Sequence, residues 1–83
     1  MKDDLLHRMT EMMPEFSKGQ KLIANYILQH YERAAYMTAL KLGNTVNVSE
    51  STVVRFANRL GYEGYPQLQR SLQSHIKNRL TSI

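Results

Sequence analysis

Ala39-Leu40-Lys41-Leu42-Gly43-Asn44-Thr45-Val46-Asn47-Val48-Ser49-Glu50-Ser51-Thr52-Val53-Val54-Arg55-Phe56-Ala57-Asn58-Arg59-Leu60-Gly61 has the residue pattern of two helices joined by a tight turn. Two helices packed at a steep angle across a short turn make specific demands on side chains, and this stretch meets nearly all of them. Leu42 and Val46 on the first helix, Val48 past the turn, and Val53 and Phe56 on the second helix supply the apolar contacts that lock the crossing. Gly43 falls where the helices approach most closely and only a small residue fits. Asn47 falls where the turn needs a positive φ, which Asn tolerates better than any residue except Gly. Thr38 and Ser49 are expected N-caps, since each hydroxyl can satisfy an amide two or three residues on. Gly61 stops the second helix by allowing a left-handed residue without steric cost. The predicted helix-turn-helix covers residues 38–61, with its second helix from about Glu50 to Leu60.

What that second helix exposes points to a function. Val53, Phe56, Ala57 and Leu60 share one face, and at about 100° per residue Ser51, Arg55 and Asn58 lie opposite it, flanked by Thr52, Val54 and Arg59. Arg can bond O6 and N7 of guanine together, Asn can do the same with N6 and N7 of adenine, Ser and Thr serve either role, and a Val methyl meets the thymine methyl. No acidic residue interrupts this face; Glu50 sits at the helix start, where it favours the dipole. Arg59 suits a phosphate contact or an intramolecular ion pair better than base reading. The expected DNA-contacting residues are therefore Ser49, Ser51, Thr52, Val54, Arg55, Asn58 and Arg59. The plainer alternative is a helical protein-interaction or dimerisation module, which would use the same helices without base readout.

Outward from this stretch the chain reads as helical throughout. Asp3 and Asp4 favour a helix start, and Leu5, Leu6, Met9, Met12 and Met13 then recur at helical spacing as far as Pro14. Ser17-Lys18-Gly19-Gln20 has the form of a capping box, opening a second helix with Leu22, Ile23, Tyr26 and Ile27 on its apolar face. The stretch from His30 to Tyr36 predicts a loop with one helical turn, Glu32 to Ala35. Pro66 suits the first position of a last helix, where Leu68, Leu72, Ile76 and Leu80 recur every four residues. The fold class is accordingly an all-α bundle of about five helices, with no alternating strand pair to build a β-wing.

Composition bounds the functional classes. Eighty-three residues fit one domain with one core, and neither the hydrophobic share of 42% nor the charged share of 22% suggests disorder. The absence of cysteine excludes a disulfide framework, a thiolate zinc site and a cysteine nucleophile, and suits a reducing cytoplasm. No apolar run approaches the ~20 residues needed to cross a bilayer, and the start is too acidic for a signal peptide. His7, His30 and His75 are too dispersed for a metal triad, there is no glycine-rich phosphate loop, and no cofactor or enzymatic activity is expected. Met9, Met12 and Met13 suit core or dimer packing. Tyr62 and Tyr65 suit packing of at least one ring against the last helix, with a hydroxyl left to reach a phosphate. The net charge of +4 arises wholly after residue 50, where Arg55, Arg59, Arg70, Lys77 and Arg79 face only Glu63; the six basic and six acidic residues before it cancel. A basic segment on an otherwise neutral domain is the footprint of a partner rich in phosphate.

Val48-Ser49-Glu50-Ser51-Thr52-Val53-Val54-Arg55-Phe56, followed by Leu60-Gly61-Tyr62-Glu63-Gly64-Tyr65 and Leu68, resembles the amino-terminal domain of the RpiR family of bacterial transcription regulators. The stretch Phe16-Ser17-Lys18-Gly19-Gln20-Lys21-Leu22-Ile23-Ala24-Asn25-Tyr26-Ile27 is similar to that family's second helix, so the resemblance runs from about Leu5 to Ile76. It implies an all-helical domain that binds operator double-stranded DNA through the helix starting near Glu50, as a homodimer. It also implies a following sugar-isomerase-type domain that takes a phosphosugar effector and regulates sugar or amino-sugar metabolism. The sequence departs from the family in three places. Asn47 stands where Gly is usual, His30-Tyr31 stands where Asn-Pro is common, and the sugar-binding domain is not in this chain, so a phosphosugar would act only through a domain absent here.

Overall fold

The computed structural model describes the backbone of residues 5–81 and side chains through residue 77, and it is built from helices. Helix α1 spans Leu5–Met12 and passes into a 3-10 turn, Met13–Glu15, at Pro14. Helix α2 spans Lys18–Gln29, α3 is the short Tyr31–Ala34, α4 is Ala39–Val46, α5 is Glu50–Arg59, and α6 is Tyr65–Thr81. No strand occurs among the described residues. The expected caps form. At Ser17 the capping box is complete, with the Gln20 amide donating to Ser17 Oγ at 3.3 Å and the Ser17 amide to Gln20 Oε1 at 3.0 Å. The Lys41 amide donates to Thr38 Oγ1 at 3.0 Å, and the Thr52 amide to Ser49 Oγ at 3.2 Å. Asp3, Asp4 and the side chains of Arg79 and Leu80 lie outside the described residues.

One core is shared by every long helix. Met9 of α1, Ile23 and Ile27 of α2, Leu42 of α4, Val53 and Phe56 of α5, and Leu68 and Leu72 of α6 are fully buried. Phe16, just ahead of α2, sets its ring 5.1 Å from that of Phe56 at a tilt of 54°, within the range favoured by aromatic pairs. Leu22 departs from the expected apolar face: it is 45% exposed, and Ala24 is buried in its place, because α2 packs on both α4 and α5 and turns its Lys18–Leu22 edge outward. Pro66 takes the second rather than the first position of α6, and the helical turn in the 30s begins one residue earlier than its expected start at Glu32. Helix ends shift this readily, since several terminal amides have no intrahelical partner in either register.

The α4–α5 crossing is set by backbone, not by bulk. A Cβ added at Gly43 would lie 2.7 Å from the Val48 carbonyl oxygen, closer than real Cβ contacts allow, so any side chain here would force the helices apart. Asn47 adopts φ 67°, ψ 43°, and its amide and that of Val48 both converge on the Gly43 carbonyl, the latter at 2.8 Å. At the far end of α5, Gly61 at φ 98° lets its own amide reach Asn58 O at 3.0 Å and the Tyr62 amide reach Ala57 O at 3.1 Å. This paired arrangement satisfies carbonyls that the helix end would otherwise strand.

Two outcomes follow from this packing. Phe56→Ala should lower stability by roughly 3–5 kcal/mol, measured by chemical denaturation, because a fully buried ring leaves a cavity beside Phe16. Asn47→Gly should be neutral or stabilising, whereas Asn47→Val should cost at least about 1–2 kcal/mol, since a β-branched side chain resists the left-handed conformation. Equal melting temperatures for the two Asn47 variants would place the turn elsewhere.

Candidate nucleic-acid interface

Helix α5 presents its outward surface as the sequence requires, but its side chains are not equally free. Ser51 and Arg55 are exposed at the centre, and no hydrogen bond or ion pair holds the Arg55 guanidinium among the described residues. Val54, 37% exposed, borders them on one edge. At the amino-terminal end the Ser49 hydroxyl lies 2.8 Å from Thr52 Oγ1 and 3.1 Å from Ser51 Oγ while capping the helix, so three hydroxyls share one small cluster. Each retains lone pairs, and Ser49 and Ser51 are exposed whereas Thr52 is only partly so.

The opposite edge, carrying Thr52 and Arg59, is covered by the chain that leads into α2. Thr52 is only partly exposed, and its methyl would stand 3.3 Å from a Cβ built on Gly19. Seven residues further along, the Arg59 guanidinium donates to the Glu15 carbonyl at 3.3 Å. With Phe16 against Phe56 between them, residues 15–19 run beside α5 along most of its length. A side-chain-free residue early in a helix, where Ala would be the better helix former, was the available signal for this close approach.

Asn58 also differs from its expected part. Its carboxamide faces the carbonyls of Tyr62 and Glu63, each 3.1 Å away, and both are satisfied only with the nitrogen toward them. Asn58 therefore fastens the turn after α5, leaving chiefly its oxygen for a partner. The tyrosine expectation is corrected as well. Tyr62 donates to Ser71 Oγ at 2.9 Å and accepts from Arg8 at 3.1 Å, and Tyr65 donates to the carbonyls of Met37 at 2.7 Å and Ala34 at 3.3 Å. Neither hydroxyl is left for a phosphate, because the turn after α5 is clamped between α1, α3 and α6. Arg8 completes the clamp by donating to the Leu60 carbonyl at 2.6 Å, a cation placed at the negative end of α5.

The carboxyl-terminal charge excess divides between two surfaces. Arg55 and Arg59 belong to α5, whereas Arg70 and Lys77 line an open groove of about 580 Å³ with Tyr36, Gln73, Ser74 and Ile76, none of them from α5. Among the described residues no three His, Asp or Glu side chains gather as a metal site; His7 pairs with Glu11 at 3.1 Å on the surface of α1. No helix is long and apolar enough to cross a membrane among the described residues.

Comparison with known proteins gives this geometry its context. Residues 3–79 match the family model described as a helix-turn-helix domain of the rpiR family. The chain is 32% identical over 71 residues to the HTH-type transcriptional regulator YfhH of Escherichia coli (strain K12), covering 86% of this chain and 25% of that protein. It is 33% identical over 73 residues to the HTH-type transcriptional regulator HexR of Pseudomonas aeruginosa, covering 88% and 26%. The chain thus spans about a quarter of the length of these relatives. Among solved structures, Vibrio vulnificus NanR complexed with ManNAc-6P superposes with a TM-score of 0.87 at 30% identity, over 95% of this chain and 30% of that one. The N-terminal domain of the regulator ybbH of Bacillus subtilis superposes with a TM-score of 0.78 at 25% identity, over 83% and 84%.

The clamp around α5 is sensitive to alkali. Burial pushes the Tyr65 hydroxyl from its ordinary value of 10.0 up to about 12, so the unfolded chain ionises first. Its contribution to stability is complete below pH 10 and is lost as pH rises toward about 12. Tyr65→Phe should be less stable than wild type at neutral pH, and the gap in melting temperature should narrow across that alkaline window. A gap of constant size would detach Tyr65 from the clamp.

Proposed function

This chain belongs to the rpiR family of helix-turn-helix domains, and we propose that it reads operator DNA by laying α5 in the major groove, with Arg55 and Ser51 meeting base edges. The chain is the helix-turn-helix domain of a transcriptional regulator; the assignment of contacts is what the proposal adds. One observation carries it. Arg55 is the exposed, uncommitted cation at the centre of a helix face free of acidic side chains, whereas the other polar side chains of that face are partly engaged within the protein. A planar guanidinium matches guanine O6 and N7 with two parallel bonds, and a helix enters the groove with its amino-terminal residues foremost. Ser49 is assigned to the groove near the helix start, Thr52 to the strand beside the covered edge, Val54 to a thymine methyl, Asn58 to an acceptor role through its oxygen, and Arg59 to a phosphate.

The regulator is proposed to act as a homodimer on two half-sites about one helical turn apart, since paired half-sites multiply the affinity of a domain too small to bind tightly alone. A phosphosugar is proposed as effector of the longer protein, by analogy with the relative solved with ManNAc-6P, bound outside the residues of this chain. The control of sugar or amino-sugar metabolism follows as part of the same proposal, as does a cytoplasmic location.

Arg55→Ala should weaken binding to a selected duplex by roughly 1–3 kcal/mol and relax preference at one base position, while melting at the wild-type temperature. Site selection from a random duplex pool, followed by anisotropy titration, measures both. Unchanged affinity and unchanged preference would remove Arg55 from base reading.

A further inference from the structure

The covered edge of α5 assigns a role to a part of the chain that lies outside the helix-turn-helix. An α-helix is about 10–12 Å across with its side chains, and the major groove is about 12 Å wide. A helix lying in the groove nearly fills it, so whatever flanks that helix meets the sugar-phosphate strand at the groove's lip. On the Thr52/Arg59 edge the flanking element is residues 15–19, fixed there by the Gly19–Thr52 approach, the Phe16–Phe56 ring contact and the Arg59–Glu15 bond.

The charges along this lip are unevenly placed. Glu15 stands at the Arg59 end, whereas Lys18 immediately precedes Gly19, which abuts Thr52 near the start of α5; Lys21, one turn on along α2, is exposed as well. Neither lysine forms an ion pair among the described residues. Lys18 is also the first residue of α2, so its ammonium has the same sign as the positive end of that helix. Gly19 is what brings them close: its Cβ, were there one, would also meet Val48 Cγ1 at 3.5 Å, so α2 approaches the turn and the recognition helix together.

We propose that Lys18, with Lys21 beside it, is a phosphate clamp that holds the DNA strand flanking the amino-terminal end of α5 and sets the depth at which Arg55 and Ser51 reach the bases. The clamp rests on the reading of α5 as the groove helix given above. It positions without specifying sequence, since a lysine bonds any phosphate alike. Its loss should therefore act equally on all duplexes.

The test is a salt titration by fluorescence anisotropy of the whole chain, with the selected duplex and an unrelated one. Lys18→Gln should weaken both by a similar factor, roughly three- to tenfold at low salt, and reduce the slope of log affinity against log salt by about 0.9, one phosphate contact. Adding Lys21→Gln should lower the slope further, Lys18→Arg should restore it, and Arg33→Gln on α3 should leave it at the wild-type value. An unchanged slope and affinity for Lys18→Gln, with Arg55→Ala still relaxing base preference, would overturn the clamp alone. A change in base preference for Lys18→Gln would overturn it in favour of direct readout. Wild-type chain showing no salt-dependent affinity for any duplex would overturn the groove reading of α5 and the clamp with it.

Discussion

The backbone at Gly43 passes so close to the carbonyl of Val48 that no side chain fits between them, and the crossing of the two helices depends on it. With 2.7 Å between that oxygen and the place where a Cβ would be, the two helices can cross at this distance only if position 43 has no side chain. Asn47 is then obliged to turn the chain in the left-handed region, and Ser49 caps the new helix two residues later. A single steric constraint thereby fixes the angle between α4 and α5, and with it which side chains of α5 face away from the core.

Both ends of α5 are held by parts of the chain distant in sequence. Thr52 near its start abuts Gly19 of α2; Leu60 at its end receives Arg8 of α1, while Asn58, Tyr62 and Tyr65 tie the following turn to itself, to α6 and to the segment after α3. A binding helix held this way has little freedom left to lose when it docks, so more of its interaction energy appears as affinity. The same fastening narrows what some side chains offer: the Asn58 nitrogen is turned toward the carbonyls of residues 62 and 63, and Arg59 donates to the Glu15 carbonyl.

On the docking proposed above, so small a domain would read sequence with few residues. Phosphate contacts fix register and orientation but are blind to sequence, whereas base-edge contacts discriminate, so a sparse reading face suffices when the flanking surface sets the docking pose. The neutral first half of the sequence is not thereby neutral at the interface. Its acidic and basic residues cancel in the sum, yet folding brings Gly19, and with it the chain at Lys18, against Thr52 of α5.

The helices, their caps and the turn were legible in the order of the amino acids, because these depend on neighbours within a few residues. Ser17 with Gln20, Ser49 with Thr52, Asn47 and Gly61 each act through the local backbone, and the apolar period of α5 names its buried face as Val53, Phe56, Ala57 and Leu60. It likewise named Arg55 and Ser51 as outward. Which of the remaining polar residues stay free depended on how the helices pack. The partners of Arg59, Asn58 and Tyr62 lie at Glu15, in the turn at residues 62–63, and at Arg8 and Ser71, and most of these are brought close only by packing between helices. Helical periodicity reports the direction in which a side chain leaves its own helix, whereas its hydrogen bonds depend on what another helix places in front of it.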